Sequence, residues 1–149
     1  FRSAASFYQM LHASVHALKS DVDLRYNLHM TNPLDWGVNL TAMQPHLDSM
    51  RVMDYTEQEG DPALMDRKRR WLTGLRKDSG PDWPMISAIG VRLKATPELI
   101  SKGVQIAVET GMDGIALGHY DGATFPMLRG IRAGLVAAKV PEVRTADGV

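Results

Sequence analysis

The chain has no cysteine among its 149 residues, which excludes disulfide bonds and thiolate chemistry. It has no excess of either charge, because 17 basic residues balance 17 acidic ones. Nucleic acids and anionic membrane surfaces attract proteins with basic surfaces. The sequence also has no apolar run close to the roughly 18 residues that cross a bilayer. We therefore expect neither a nucleic-acid partner nor a membrane partner.

Several motifs that carry chemistry are missing as well. The sequence contains no G-x-S-x-G, no Gly-rich phosphate loop, no H-E-x-x-H and no H-x-H. Without these signatures we predict no cofactor and no metal site. Hydrophobic residues make up 44% of the chain and charged residues 23%, which is typical of a globular protein.

The pattern that is present is a strand followed by a helix, four times over. Apolar or mixed runs predict strands at 22–30, 50–55, 85–91 and 114–119. Their starts recur about every 30 residues, close to the roughly 31 residues of one unit in a (β/α)₈ barrel. An amphipathic helix over 4–18 precedes the first strand. We predict an α/β fold of four consecutive β/α units with parallel strands, which is half of such a barrel.

Local signals place the helices between these strands. Asn39, Asp61 and Thr96 are suited to cap helix starts, and Pro45 predicts that the helix over 40–47 is short. Longer helices are expected to end near 78, 110 and 138. The basic run at 67–70 is expected to be a solvated helix face. One domain over 1–140 with a loose tail at 141–149 is the predicted organisation.

A half-barrel predicts a missing partner. The chain begins with Phe1 rather than Met, so we expect a piece of a longer protein. An open parallel sheet would expose two strand edges and one face, which proteins in solution avoid. We expect either a missing N-terminal half-barrel or a homodimer to cover them.

In such barrels the active site lies at the carboxyl ends of the strands, in the loops that follow them. Substrate-binding candidates at these positions are Asn27, His29, Trp36, Tyr55, Arg92 and Tyr120. Catalytic candidates are Asp54, Glu57, His119 and Asp121.

Asp54 and Glu57 form a pair of carboxylates after the second strand. Two carboxylates can divide the roles of acid and base when their surroundings separate their pKa values. The alternative is that Glu57 is an exposed loop residue and that a loop amide holds Asp54.

His119 and Asp121 have equal parity, so they share a face if the strand extends that far, with Tyr120 opposite. They would then bind a polar substrate or tune a proton transfer. The alternative is that a backbone carbonyl satisfies His119 and that Asp121 caps the last helix. Arg92 could anchor a carboxylate or pair with Asp54 or Asp121. Trp36 could stack on a sugar ring or pack on the barrel rim.

Three stretches carry a resemblance: R-V-M-D-Y-T-E at 51–57, I-S-A-I-G-V-R at 86–92 and G-I-A-L-G-H-Y-D-G at 114–122. Over residues 20–135 the chain resembles the C-terminal half of a glycoside-hydrolase-type TIM barrel from bacteria. The resemblance implies a carbohydrate ligand, hydrolysis by strand-end carboxylates, and rim aromatics that hold sugar rings. It makes Asp54 or Glu57 the first choice for a catalytic carboxylate. The chain departs from the family in lacking the first four strands.

Two other functions remain open at this point. One is a non-catalytic half-barrel that serves binding or assembly. The other is a barrel lyase, epimerase or aldolase that uses His119, Asp121 and Arg92 on a carboxylated substrate.

Overall fold

The computed structural model describes residues 2–29 and 33–141, and within them an α/β fold with one parallel sheet. The strands are β1 Arg25–His29, β2 Ser49–Met53, β3 Met85–Gly90 and β4 Gly114–Gly118. The helices are α1 Arg2–Leu18, α2 Leu40–Met43, α3 Met65–Ser79, α4 Pro97–Glu109 and α5 Phe125–Ala137. The predicted alternation of strands and helices is confirmed. None of the helices in these ranges is long and apolar enough to cross a membrane.

The strands lie in the order β1-β2-β3-β4, and every neighbouring pair is parallel. The register aligns Leu28 with Val52, Val52 with Ser87, and Ser87 with Ile115, so these four side chains share one face. Right-handed connections between strands in consecutive order place every helix on the same side of a sheet. The helices of the described chain accordingly pack on this face.

The hydrophobic core lies between that face and the helices. One buried cluster joins strand residues to α2, α3 and α4, and includes Leu28, Met43, Met50, Val52, Leu72, Met85 and Ile106. A second joins β3 to α4, with the side chains of α5 packed against it, and includes Ile89, Val91, Ile100 and Val104. Tyr8 of α1 packs edge-on against Tyr26 of β1, which attaches the first helix to the same side.

The opposite side of the sheet, called the open face below, carries no helix of the described chain. On β1 its side chains are Arg25, Asn27 and His29, all exposed. Arg51 and Met53 of β2 and Ile86 of β3 are half-buried there. One covered face and one uncovered face are unusual for a parallel sheet, because parallel sheets are normally covered on both.

Two strand boundaries, the end of β2 and the start of β1, differ from the prediction by more than one residue. β2 runs from Ser49 to Met53 instead of to residue 55, because Asp54 turns the chain: its Oδ1 accepts a hydrogen bond from the Thr56 N–H at 2.9 Å. β1 begins at Arg25 instead of residue 22, because the N–H of Leu24 donates to Asp48 Oδ2 at 2.7 Å rather than to the sheet.

Asn39 and Thr96 cap α2 and α4 as predicted, whereas Asp61 caps the 3₁₀ turn Pro62–Leu64 and α3 begins only at Met65. Asn39 Oδ1 accepts from the Ala42 N–H, and Asp61 Oδ1 accepts from the Ala63 N–H. The hydroxyl of Thr96 accepts from the N–H of Leu99. The helix expected over 40–47 is α2 followed by a 3₁₀ turn, Gln44–His46, because Pro45 cannot donate an α-helical hydrogen bond. Of the predicted tail at 141–149, residues 142–149 lie outside the described part.

The last two helices approach each other closely through two glycines. A Cβ at Gly130 would lie 2.5 Å from the Pro97 carbonyl oxygen, and one at Gly134 would lie 2.6 Å from the Ser101 carbonyl oxygen. Both obstacles are backbone atoms, which cannot move aside as a side chain can. Glycine at these two positions of α5 therefore sets its distance from α4.

Candidate functional site

Four of the predicted site residues meet at the carboxyl edge of the sheet. Arg92 Nη1 lies 3.3 Å from His119 Nδ1, and its Nη2 lies 3.7 Å from Asp121 Oδ2. The Tyr55 ring lies beside the His119 ring, with 5.6 Å between their centroids. We call Tyr55, Arg92, His119 and Asp121 the edge cluster. Arg92, His119 and Asp121 are exposed, so a ligand can reach this cluster from solvent.

The edge cluster has a defined arrangement of donors and acceptors. A guanidinium can only donate, so the Nδ1 of His119 accepts from Arg92 and the proton of the neutral ring lies on Nε2. Asp121 offers hydrogen-bond acceptors, and the Tyr55 hydroxyl can both donate and accept a hydrogen bond. Arg51 on β2 lies next to the cluster, with its Nη2 3.5 Å from the Tyr55 hydroxyl oxygen. The site therefore presents two guanidinium groups, one carboxylate, one imidazole and one phenol.

Glycines at the ends of β3 and β4 make room for side chains from the loop after β2. A Cβ at Gly118 would overlap the Tyr55 ring. A Cβ at Gly90 would lie 2.6 Å from Gln58 Cγ. Gly90 and Gly118 lie opposite each other in the sheet, so Gln58 and Tyr55 cover neighbouring strand ends. Gln58 was not among the predicted site residues, although the paired glycines at two strand ends are a sequence signal for it.

His119 and Asp121 come together by a turn and not by strand alternation. β4 ends at Gly118, and His119 has a φ of +63°, a left-handed conformation that is uncommon for a residue other than glycine. A 3₁₀ turn, Tyr120–Gly122, follows. The strand therefore does not extend to Asp121, and the condition for a shared face by strand alternation is not met. Such backbone conformations cost about 1–3 kcal/mol and cluster at functional sites.

The structure also bears on the alternative roles considered for His119 and Asp121. Thr124, not Asp121, is the N-cap residue of α5. Asp121 instead faces Arg92, as one of the alternatives for Arg92 predicted. The side chains of Trp36 and Tyr120 lie outside the described part of the structure.

Asn27 and His29 lie on β1, at some distance from the edge cluster. Both are exposed on the open face, and the register places them beside Arg51 and Met53 of β2. They share the face with the cluster, but within residues 2–29 and 33–141 no hydrogen bond, ion pair or ring contact joins them to it. The structure thus brings them to the same surface without assembling them into the same group.

Asp54 is fully buried in the turn after β2. Its Oδ1 accepts from the N–H of Thr56 at 2.9 Å and from the hydroxyl of Thr56 at 2.5 Å. Its Oδ2 has no hydrogen-bond partner among the described residues. A loop amide therefore holds Asp54, as the alternative for this residue predicted.

Glu57 is also fully buried, on the helix side of the sheet, in an ion pair with Lys68 of α3. The Lys68 ammonium donates to Glu57 Oε1 at 2.5 Å and to the carbonyl oxygens of Asp54 and Ala88, both at 3.1 Å. Glu57 Oε2 accepts from the N–H of Gly90 at 3.0 Å. Two expectations are corrected here: Glu57 is not an exposed loop residue, and Lys68 does not belong to a solvated helix face.

The surroundings of Glu57 act on its charge in opposite directions. Burial raises the pKa of the Glu57 carboxyl, while the Lys68 ammonium and the N–H of Gly90 oppose this rise. When the pair is ionised, all three ammonium protons of Lys68 have acceptors and both Glu57 oxygens accept, so neither charged group is left without hydrogen bonds. A Cβ at Gly103 of α4 would overlap Oε1, so glycine is needed there as well.

Glu57 therefore fixes the loop after β2 to α3, α4 and β3. Neither of its oxygens is accessible to a ligand, and the same loop positions Tyr55 and Gln58. The edge cluster itself provides no group of three metal-ligating side chains among the residues whose side chains are described.

Comparison of the chain with protein-family models, with curated proteins and with solved structures returns no match. The function of this site is therefore argued from its geometry.

Proposed function

We propose that this chain is half of a (β/α)₈ barrel and forms one side of a carbohydrate-hydrolase site at the carboxyl edge of its strands. The observation that carries the proposal is the open face with the edge cluster at its carboxyl end. In a closed barrel, the face opposite the helices lines the interior, and ligands bind at the carboxyl ends of the strands.

The sheet supports completion by further strands. β1 and β4 each pair with one neighbour only, so both edges retain free backbone donors and acceptors in the described chain. The open face combines polar side chains on β1 with Met53, Ile86 and Ala116. Further β/α units from a missing N-terminal half-barrel would pair both edges and cover this mixed surface, as the closed barrel does.

Sedimentation of the chain tests this part of the proposal. We expect self-association, or a monomer that binds a hydrophobic dye, because the open face lacks its cover. A well-defined dimer would indicate that a second copy serves as that cover. A compact 16.5 kDa monomer with no dye-binding surface would contradict the half-barrel.

The edge cluster is suited to a sugar. Asp121, Arg92 and His119 supply acceptors and donors for hydroxyl groups, and the ring of Tyr55 offers an apolar surface beside them. Glycoside hydrolysis uses a pair of carboxyl groups around an oxocarbenium-like transition state. Asp121 is the exposed carboxylate of this cluster, so we assign it as one member of this catalytic pair. The second carboxylate would come from the strands that complete the barrel.

Amide chemical shifts of the isotope-labelled chain test the ligand class. A panel of neutral oligosaccharides at millimolar concentration should shift the amides of Tyr55, Arg92 and His119 in a saturable way. Arg92→Ala should abolish the shifts, because it removes the group that joins His119 to Asp121. Arg70→Ala, which changes an exposed arginine on α3, is the matched control and should leave them intact. Neutral sugars that leave all three amides unmoved would contradict a carbohydrate site.

A second candidate function has its own support in the two guanidinium groups. Arg51 and Arg92 flank Tyr55 and His119, and a planar guanidinium is the group best suited to bind a carboxylate. A barrel lyase, epimerase or aldolase acting on a carboxylated substrate would use Arg92 as the anchor and His119 for proton transfer. In the same experiment, shifts with small carboxylic acids but not with neutral sugars would favour this function.

A further inference from the structure

A second group of polar side chains lies at the opposite, amino end of the sheet. His12 and His16 extend from α1 toward Asp48, which directly precedes β2. His16 Nε2 lies 3.0 Å from Asp48 Oδ2, and His12 Nε2 lies 3.7 Å from Asp48 Oδ1. One atom from each of the three residues lies within 4.8 Å of the others. The two imidazole rings stack with 4.1 Å between centroids.

The sequence positions the two histidines for joint binding. Residues four apart lie on the same face of a helix, and the spacing of His12 and His16 therefore directs both rings to one point. The prediction of no metal site considered H-x-H and H-E-x-x-H but not this H-x-x-x-H spacing. Asp48 could not be added to the pair from sequence, because it comes from a different element 32 residues later.

The hydrogen bonds of His16 leave a position for a cation. Its Nδ1 lies 3.1 Å from the carbonyl oxygen of Ser20, which can only accept, so Nδ1 carries a proton. The lone pair of Nε2 in the neutral ring then faces a carboxylate oxygen at 3.0 Å, and two acceptors at this distance repel. A proton or a metal ion between them removes the conflict. Histidines that bind a metal usually donate their other ring N–H to a carboxylate, a backbone carbonyl or a water.

The distances fit a tetrahedral metal. Bonds of about 2.0–2.1 Å to zinc place the ligand atoms of a tetrahedral site roughly 3.3 Å apart. His16 Nε2 lies 3.0 Å from Asp48 Oδ2 and His12 Nε2 lies 3.7 Å from Asp48 Oδ1, so each imidazole is within about 0.4 Å of this separation from one oxygen of the carboxylate. Asp48 is held in place because its Oδ2 also accepts from the N–H of Leu24 at 2.7 Å. The three side chains are 22–33% exposed, which leaves room for water as the fourth ligand.

We propose that His12, His16 and Asp48 bind a Zn²⁺ ion that fastens α1 to the amino edge of β1 and β2. Two imidazole nitrogens and one carboxylate oxygen are ligands that zinc prefers, and a site with three protein ligands keeps one position open. The ion adds a connection to a helix that leaves several large apolar side chains exposed, among them Phe7, Met10 and Leu18.

Zinc binding to the full chain tests the proposal, with ZnCl₂ alone as the probe. Titration in competition with a chromophoric chelator should show one equivalent bound, and the thermal midpoint should rise with zinc concentration. His12→Ala and His16→Ala should each lower the affinity at least tenfold and remove most of this rise. Two variants are used so that a disturbance of α1 by one substitution can be told apart from the loss of a ligand.

His46→Ala is the matched control, because His46 lies near α1 in the 3₁₀ turn Gln44–His46 but outside the group of ligands. It should keep both the stoichiometry and the affinity of the parent. Absence of stoichiometric zinc binding by the parent would overturn the proposal and leave a protonated His16 paired with Asp48. Equal affinity in the parent and both histidine variants, or an equal loss in His46→Ala, would overturn it as well.

Discussion

Removing the Lys68 ammonium should be among the most damaging single changes in this chain. Lys68→Met keeps the length and the apolar stem of the side chain but leaves the Glu57 carboxylate buried without its counter-ion, and two carbonyl oxygens without their donor. Loss of one partner of a buried ion pair costs about 3–5 kcal/mol. The total free energy of unfolding of a domain of this size is about 5–15 kcal/mol. With a urea slope of about 2 kcal/mol per molar, the unfolding midpoint should fall by roughly 2 M.

Two further variants separate this cause from ordinary disturbance of α3. Arg70→Met lies two residues away on the same helix and is exposed, so its effect should stay within about 0.5 kcal/mol. Adding Glu57→Gln to Lys68→Met removes the uncompensated charge, and the double variant should be more stable than Lys68→Met alone. If Lys68→Met unfolds at the same urea concentration as Arg70→Met, the buried pair does not hold this loop and the reasoning fails.

Two other predictions concern glycine positions and acid stability. Gly103→Ala should destabilise the chain by about 1–3 kcal/mol, because its methyl group would overlap Glu57, whereas Gly74→Ala, with open space around it in α3, should stabilise it by about 0.5–1 kcal/mol. The urea unfolding midpoints of the two variants test this, and midpoints that shift in the same direction would contradict the close contact between Gly103 and Glu57. Partial burial of Asp113 favours its neutral form, but a backbone N–H of β3 and the Arg76 guanidinium lower its pKa below the ordinary 3.8. Asp113 therefore adds stability above pH 3.8 that is lost as the pH falls through its folded value, and Asp113→Asn should make the stability less dependent on pH between about 5 and 2. An unchanged acid limb in that variant would assign the dependence to other groups.

The order of the elements could be predicted from the sequence because it depends on local signals. A strand such as β3, Met85–Gly90, is a continuous apolar run, and helix starts at Asn39, Asp61 and Thr96 depend on a side chain reaching an N–H two or three residues away. These interactions act within one turn of chain, so the residues that cause them are adjacent in sequence. Strand ends were predicted less well, since the turn at Asp54 and the left-handed His119 stop strands that the residue types would allow to continue.

The buried pair shows where prediction from local sequence failed. Lys68 lies in a run of four basic residues, and such a run is typical of a solvated surface. It also lies three residues after Met65 and four before Leu72, on the stripe of α3 that faces the core. The helical spacing therefore indicated burial while the composition indicated exposure. A lysine on an apolar stripe requires a buried acceptor, and the acceptor comes from a loop whose path the sequence did not reveal.

The loop after β2 organises the carboxyl edge, and three glycines on other elements show how. Gly118 of β4 leaves space for Tyr55, Gly90 of β3 for Gln58, and Gly103 of α4 for Glu57. A side chain at any of these positions would displace the loop, although none of the three glycines carries a functional group. The loop that carries Tyr55 is therefore held on the helix side of the sheet by the buried Glu57–Lys68 pair. On the open face it is accommodated by the glycines at positions 90 and 118, which have no side chain. A substitution at Gly118 should act on ligand binding through the position of Tyr55, and a substitution at Gly103 chiefly through the stability of the fold.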